Sequence, residues 1–265
     1  MLQFPALDPV AFAVGPLDVR WYALAYIAAF VIGHWLFLRL CDKHPAPNLT
    51  RDAADSLFVW VVIGVVAGGR LGYVLFYNLP YFIEHPLEIF MTWQGGMSFH
   101  GGLLGVTLAG LWFCRRHNIN PLDLGDRLAI VVPIGLFFGR MANFINAELF
   151  GTPTSLPWGM VFPTDPLQLP RHPSQLYEAG LEGLALLAIL LAVVLLRGIR
   201  RGEITGIFLV GYAIARFSVE FVRHQGDATM YLEQLTPLTS GQLLCVPMFI
   251  IGLLLLWRAQ KHHVT

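Results

Sequence analysis

Charged side chains are scarce in this sequence of 265 residues, at 13% of the chain or about half the share found in soluble domains. Hydrophobic residues make up 56% and the mean hydropathy is +0.62, which excludes intrinsic disorder. A water-soluble globule is also disfavoured, because so little charge would not cover its surface. Cysteine is equally scarce: three residues at wide spacing exclude a disulfide framework and a zinc pattern. The composition indicates a polytopic membrane protein.

An excess of either charge is missing too. The 17 basic and 17 acidic residues give a net charge of 0, so we expect no nucleic-acid partner. The first residues contain no basic stretch followed by a cleavage site, so we expect no removable signal peptide. No Asp/Glu-rich relay, metal-ligand spacing or serine-nucleophile motif is found, and we predict neither a metal nor a cofactor.

Seven segments are long and apolar enough for a transmembrane helix, which needs about 20 residues. They lie at about 21–40, 56–78, 95–114, 128–145, 175–196, 203–222 and 242–257. We therefore predict an all-α polytopic membrane protein with seven transmembrane helices. It would form a single catalytic domain over 1–265, with a head region at about 146–174 that is too polar to span.

Basic residues orient these predicted spans. Eleven of the 17 Lys and Arg residues follow spans one, three, five and seven, three lie on the opposite side, and three lie within spans. By the positive-inside rule the N-terminus would be external and the C-terminus cytoplasmic. The head region at 146–174 would then also be external.

Two ionisable residues in the first half of the chain lie among glycines inside predicted spans. An ionisable group in the bilayer costs about 2.5–3.5 kcal/mol, so a retained one suggests function. Arg70 lies in GGRLGY at 68–73, where it either binds a ligand or pairs internally to close the bundle. His100 lies in GGMSFHGG at 95–102, where it is either a proton acceptor or a packed, hydrogen-bonded histidine.

The densest polar stretch is GRMANFINAELFG at 139–151. Arg140, Asn143 and Asn146 recur at helical spacing, and Glu148 follows. A guanidinium beside carboxamides suits a phosphate, which arginine binds with two parallel hydrogen bonds. The alternative is a polar helix end at the level of the lipid headgroups, with Arg140 extended toward water.

A second charged stripe lies on the sixth span, where Arg216, Glu220 and Arg223 are spaced i, i+4 and i+7. Glu220 can neutralise Arg216, but a second arginine leaves positive charge that would attract an anion. Glu178 and Glu182 share a helix face and are interpreted in part as capping charges near a helix N-terminus. In a membrane, the abundant phosphate is that of a phospholipid headgroup.

At these residues the sequence resembles the bacterial prolipoprotein diacylglyceryl transferases over nearly its whole length. The shared motifs are RWY at 20–22, GGRLGYVLFYN at 68–78, GGMSFHGG at 95–102, RMANFINAELFG at 140–151, RHPSQLYE at 171–178 and RFSVEF at 216–221. The sequence departs from the family pattern at Ala142 and Ala147, where glycine is usual, and at Phe150, where tryptophan is usual. One extra residue lies in RHQGD at 223–227.

The resemblance implies transfer of the diacylglyceryl group of phosphatidylglycerol to the lipobox cysteine of a signal-peptide-bearing preprolipoprotein. A thioether would form and glycerol phosphate would leave. The enzyme would lie in the bacterial cytoplasmic (inner) membrane, with its active site toward the outer leaflet and membrane lipid around it. The nucleophile would belong to the substrate.

The residues assigned on this basis fall into two groups. We predict three catalytic residues, with His100 as the base and two arginines as phosphate ligands: His100, Arg140 and Arg216. We predict that Glu220 orients Arg216. The residues predicted to bind substrate are Tyr22, Arg70, Arg140, Asn143, Asn146, Glu148, Gly151, Glu220 and Arg223. The alternatives are a non-enzymatic phospholipid transporter or flippase and a structural subunit of a membrane complex.

Overall fold

Long helices form at all seven predicted segments of the computed structural model, which describes residues 2–5, 7–15, 17–92, 95–223 and 238–264. The helices are α1 (Trp21–Lys43), α2 (Arg51–Tyr77), the short α3 (Leu79–Glu84), α4 (Phe99–His117), α5 (Pro121–Ile145), α6 (Ser174–Glu178), α7 (Leu186–Arg197), α8 (Glu203–Glu220) and α9 (Ser240–Val264). A 3-10 helix at Pro86–Phe90 follows α3. A π-helical segment, Ala179–Ala185, joins α6 to α7.

Five of these helical segments are long and apolar enough to cross a membrane: Trp21–Lys43, Arg51–Tyr77, Pro121–Ile145, Ser174–Arg197 and Ser240–Lys261. The all-α membrane class is thereby confirmed. Helix α8 falls short because it carries three charged side chains, and α4 because glycines and two terminal arginines dilute its apolar residues. The number of spans and the side of each terminus therefore stay predictions.

Two compact units make up the chain: Phe37–Leu124, and the residues before and after it. In the first unit, glycines bring α2 and α4 together. Gly64, Gly68 and Gly72 recur every fourth residue on α2, opposite Gly101 and Gly105 on α4. A Cβ atom at any of the five would overlap backbone atoms of the facing helix. This small-residue packing is the way helices associate closely in lipid, where hydrophobic burial provides no attraction.

In the second unit, a buried carboxylate joins α5 to the N-terminus of α8. Asp126 accepts hydrogen bonds from Gly202 N (2.6 Å), Thr205 N (2.8 Å) and Thr205 Oγ1 (2.8 Å). It is fully buried. Helix N-termini leave backbone N–H groups without intrahelical partners, and Asp126 provides acceptors for two of them from a different helix.

The head region after α5 is built on short strands and an aromatic core. Strand β1 (Leu2–Gln3) pairs parallel with β4 (Met160–Val161), which pairs antiparallel with β5 (Pro170–Arg171). A separate hairpin joins β2 (Val10–Val14) to β3 (Leu17–Arg20). Phe162 is fully buried and contacts aromatic rings from the N-terminus, α5 and the head: Phe4, Phe144 and Phe150.

Candidate active site

Three arginines meet at one carboxylate in the second unit. Glu178, at the end of α6, is fully buried. Its Oε1 accepts a hydrogen bond from Arg216 Nη1 at 2.6 Å and lies 3.4 Å from Arg223 Nε. Its Oε2 lies 3.0 Å from Arg140 Nε. One side chain therefore fixes the positions of arginines from α5, from α8 and from the residues after α8.

Glu220 forms a second link in this cluster. Its Oε2 lies 2.6 Å from Arg216 Nη2 and 3.9 Å from Arg223 Nη1. Arg216 is thus held between two carboxylates, one on each terminal nitrogen, which fixes the plane of its guanidinium. Glu178 holds the other terminal nitrogen of Arg216, and the orienting role of Glu220 stays a prediction.

Glu182 belongs to the same cluster without a close partner. It lies on the π-helical segment, is fully buried, and its Oε1 is 3.9 Å from Arg216 Nη1. Among the described residues, neither of its carboxylate oxygens has a hydrogen-bond partner. Short π-helical segments inside α-helices are rare and occur frequently at functional sites.

Exposure separates the two signs of charge in this arginine–glutamate cluster. The carboxylate side chains are 0% exposed at Glu178 and 4% at Glu220, whereas the arginines retain 19% at Arg140, 11% at Arg216 and 24% at Arg223. Three arginines and three glutamates balance formally, but the accessible part of the cluster belongs to the arginine side chains. An arriving ligand would therefore meet positively charged side chains.

Next to Arg140 on the chain, two amides surround Glu148. Asn143 Nδ2 donates to Glu148 Oε1 at 2.8 Å, and Asn146 Nδ2 approaches the same oxygen at 3.3 Å. The residues on either side, Ala147 and Leu149, adopt left-handed backbone conformations with φ of 53° and 58°. Non-glycine residues in this region carry strain that the surrounding structure must hold.

The motif at 171–178 supplies that support. Gln175 Nε2 donates to Glu148 O at 2.6 Å, and Ser174 Oγ donates to Leu149 O at 3.1 Å. Arg171 forms two hydrogen bonds with Asp165, at 2.8 and 2.9 Å, over the ring of Phe150. Arg171 therefore stabilises the head, while Ser174 and Gln175 hold the strained turn that carries Glu148.

Gly151 joins the head to the arginine cluster. Its N–H donates to His172 O at 2.8 Å, and its backbone pairs with Arg223 as an antiparallel bridge. A Cβ atom here would overlap Val222 O and lie 2.8 Å from His172 Cβ. A side chain at this position would push away the segment that carries Arg223.

The remaining predicted residues have separate surroundings. Tyr22, near the start of α1, is exposed, lies 3.3 Å from Tyr26 through their hydroxyls, and is within electrostatic range of Glu148 and Arg140. His100 is the second residue of α4, in the first unit, and is exposed. The structure therefore brings the predicted residues of the second unit together. His100 belongs to the first unit, as part of α4.

Arg70, also in the first unit, uses all its donors on backbone. Nε donates to Ile89 O at 2.8 Å. The four other bonds, from Nη1 and Nη2, reach carbonyls at 2.6–3.3 Å on Glu88, Met91, Gly95 and Gly96. Arginine has five N–H donors, so these five bonds leave none for a substrate. Of the two interpretations, internal pairing is the one this geometry favours.

Comparisons with known proteins agree with the sequence resemblance. The family described as prolipoprotein diacylglyceryl transferase matches residues 9–258. A phosphatidylglycerol–prolipoprotein diacylglyceryl transferase from Azospirillum brasilense is 50% identical, covering 98% of this chain and 97% of that relative. The protein of the same name from Pseudomonas putida is 48% identical, covering 100% and 98%. The chain belongs to the prolipoprotein diacylglyceryl transferase family.

Proposed function

We propose that this protein transfers the diacylglyceryl group of phosphatidylglycerol to the lipobox cysteine of a preprolipoprotein. The cysteine sulfur attacks the glyceryl carbon that bears the phosphate, forming a C–S bond. The C–O bond breaks, and glycerol phosphate leaves with the electron pair. Family membership and the names of the relatives support this reaction.

The observation that carries the proposal is that the accessible side chains of the arginine–glutamate cluster are its arginines, while its carboxylates are buried. Negative charge on the phosphate grows as the C–O bond breaks, and preorganised donors aimed at developing charge stabilise a transition state most in a water-poor site. Arg140 Nε lies 3.0 Å from Glu178 Oε2, and Arg216 Nη1 lies 2.6 Å from Glu178 Oε1. Because this one carboxylate holds both arginines, they are the two assigned to the phosphate. Arg223 completes the positive surface.

The substrate thiol must lose its proton to attack. A free cysteine has a pKa of about 8.5 and is mostly protonated at neutral pH. His100 is proposed as the base that takes this proton, on its chemistry and its match to the family motif. The protein's own cysteines are all buried and take no part.

Other residues are proposed to shape the site. Asn143, Asn146 and Glu148 bind the polar part of the lipid headgroup. Tyr22 lies within electrostatic range of Glu148 and Arg140. Gly151 keeps the Arg223 segment in place. Arg70 acts indirectly, by fixing the loop before α4.

The finer topology belongs to the same proposal. Seven helices would cross the cytoplasmic membrane, with the N-terminus and the head at 146–174 outside and the C-terminus inside. The asymmetry of basic residues supports this orientation. The whole chain would then act as one catalytic domain, open to phosphatidylglycerol in the outer leaflet.

The direct test uses purified protein in phosphatidylglycerol vesicles with a lipobox peptide. We expect a peptide mass increased by one diacylglyceryl group, together with free glycerol phosphate. A peptide with serine in place of the lipobox cysteine should stay unmodified. Lipid binding or transbilayer movement without covalent product would overturn the proposal in favour of a transporter or flippase. Absence of both would favour a structural subunit.

A further inference from the structure

The N-terminus of α9 lies against the carboxylate of Glu220. Thr239 is the residue before α9, and its Oγ1 donates to Glu220 Oε1 at 3.1 Å. Thr239 and Gln242 also cap the helix reciprocally: Gln242 N donates to Thr239 Oγ1 at 3.1 Å, and Thr239 N donates to Gln242 Oε1 at 3.2 Å. This is a capping box, in which the threonine oxygen accepts from the helix. Its single proton remains for Glu220.

Gly241, in the first turn of α9, determines how close the carboxylate comes. A Cβ atom there would lie 2.7 Å from Glu220 Cδ, 2.7 Å from Oε1 and 2.9 Å from Oε2. Each of these distances is shorter than the distances at which Cβ atoms contact other heavy atoms in proteins. All three atoms belong to the carboxylate, so a methyl group at 241 would displace that group rather than the backbone.

Glu220 has little freedom to move without cost. It is 5% exposed, and its other oxygen forms the 2.6 Å ion pair with Arg216 Nη2. The positive end of the α9 dipole also favours a carboxylate at this place. Displacing Glu220 would therefore release one of the two carboxylates that hold the Arg216 guanidinium.

We infer that Thr239 and Gly241, at the N-terminus of α9, are positioning residues that set the orientation of Arg216 through Glu220. The inference rests on the proposed function, since Arg216 is assigned there to the phosphate. Neither residue touches a substrate in this account. Their contribution is the hydroxyl and the open space that keep Glu220 on Arg216 Nη2.

A double-mutant cycle tests this coupling. In the wild-type background, Gly241→Ala should lower the single-turnover rate by about 10- to 100-fold, because misplacement on the order of 1 Å far from the chemistry has that effect. The apparent affinity for phosphatidylglycerol should change less. In a Glu220→Ala background, Gly241→Ala should change the rate less than about twofold, because the clash is gone. An equal loss in both backgrounds would mean that Gly241 acts on α9 alone, and would overturn the inference.

Threonine variants provide the chemical control. Thr239→Ser keeps the hydroxyl and should retain the rate, whereas Thr239→Val removes both the donor to Glu220 and the acceptor for Gln242 N and should be slower. Gly135→Ala is the matched glycine control, because a Cβ there meets nothing within 4 Å. A fully active Thr239→Val protein would contradict the role of the hydroxyl.

Thermal unfolding of the same proteins in detergent separates this inference from the proposed reaction. The steric clash predicts that Gly241→Ala lowers the unfolding midpoint when Glu220 is present and does not lower it in Glu220→Ala, where alanine is the better helix residue. This holds even if the wild-type protein modifies no peptide. Equal midpoint shifts in both backgrounds would overturn the coupling regardless of activity.

Discussion

At Arg140, the contribution of the planar guanidinium shape can be separated from that of its positive charge. Lysine keeps the positive charge but lacks the planar fork, and it cannot both reach Glu178 and present paired donors to a phosphate. We expect Arg140→Lys to lower turnover on the order of 10²-fold, comparable to the loss of one preorganised donor. Single-turnover rates of the folded protein provide the measurement. Arg115→Ala, on the predicted cytoplasmic side, is the control and should change little.

If Arg140→Lys altered only the apparent affinity for phosphatidylglycerol, Arg140 would be a headgroup anchor. An interaction that strengthens only in the transition state lowers the turnover rate when it is removed, whereas uniform binding affects affinity alone. The transition-state role would then fall to Arg216.

Ala147 carries strain that glycine would relieve. Its φ of 53° costs an L-residue about 1–2 kcal/mol, partly offset by the greater flexibility of glycine in the unfolded chain. We therefore expect Ala147→Gly to stabilise the protein by about 1 kcal/mol. Differential scanning calorimetry in detergent would measure the change in stability.

Ala142 is the matched position for that substitution, because glycine is also usual there in the family pattern. It lies inside α5 and is fully buried. Ala142→Gly should destabilise by about 1 kcal/mol, since glycine is unfavourable in a helix interior. Equal effects at both positions would contradict the assignment of strain to Ala147.

The sequence identified the arginines but not the residue that holds them. Arg140 and Arg216 are conspicuous because each is a charge in an apolar span. Glu178 has an ordinary explanation as a charge at a helix N-terminus, so its role was missed. Its partner Arg216 is 38 residues away, and such a tertiary pair cannot be found from local spacing. The signal available was that Glu178 and Glu182 share one face of an apolar helix.

At the scale of elements, the helices begin and end where capping dictates, whereas hydropathy marks only their apolar part. Predicted span two began at 56, but α2 begins at Arg51, since Thr50 Oγ1 accepts from Ala53 N at 3.3 Å. Similarly α5 begins at Pro121 rather than 128, and α9 runs to Val264. The π-helical segment and the two-residue strands of the head have no local sequence signal and depend on tertiary contacts.

The contact between α2 and α4 predicts a sharp response to a single methyl group. A Cβ atom at Gly105 would overlap the carbonyl oxygen of Gly64, which belongs to rigid backbone. We expect Gly105→Ala to destabilise by about 1–3 kcal/mol, the usual range for overpacking. Gly110→Ala on the same helix meets nothing within 4 Å and should cause no loss. Resistance to limited proteolysis in detergent would compare the two variants.

The head should respond to acid through Asp165. The Arg171 guanidinium lowers the pKa of Asp165 below its ordinary value. A carboxylate with a lowered pKa stabilises the fold above its unfolded pKa, about 3.9, and this contribution is lost as the pH falls through the folded value. Asp165→Asn should therefore lower the unfolding midpoint at pH 7, and the difference from wild type should shrink below about pH 4. A difference independent of pH would contradict this account.

For the whole molecule, the asymmetry of eleven basic residues against three predicts a cytoplasmic C-terminus. A reporter that is active only in the cytoplasm, fused after Thr265, should be active. The same reporter fused within the head, after Pro157, should be inactive and serves as the control. An inactive C-terminal fusion at normal expression would reverse the orientation.

The two attachments of α8 to α5 have a consequence for chain length. Asp126 holds the first turn of α8, while Glu178 links Arg216, near its other end, to Arg140. Asp126 and Arg140 are 14 residues apart, about 21 Å along a helix, so the two helices are fastened at both ends of a fixed length. Inserting one residue between them would rotate Arg140 by about 100° and shift it by 1.5 Å. Tolerance to insertions and deletions should therefore be lowest within α5 and α8. This holds although the residues between the two attachments on each helix are not assigned to the reaction.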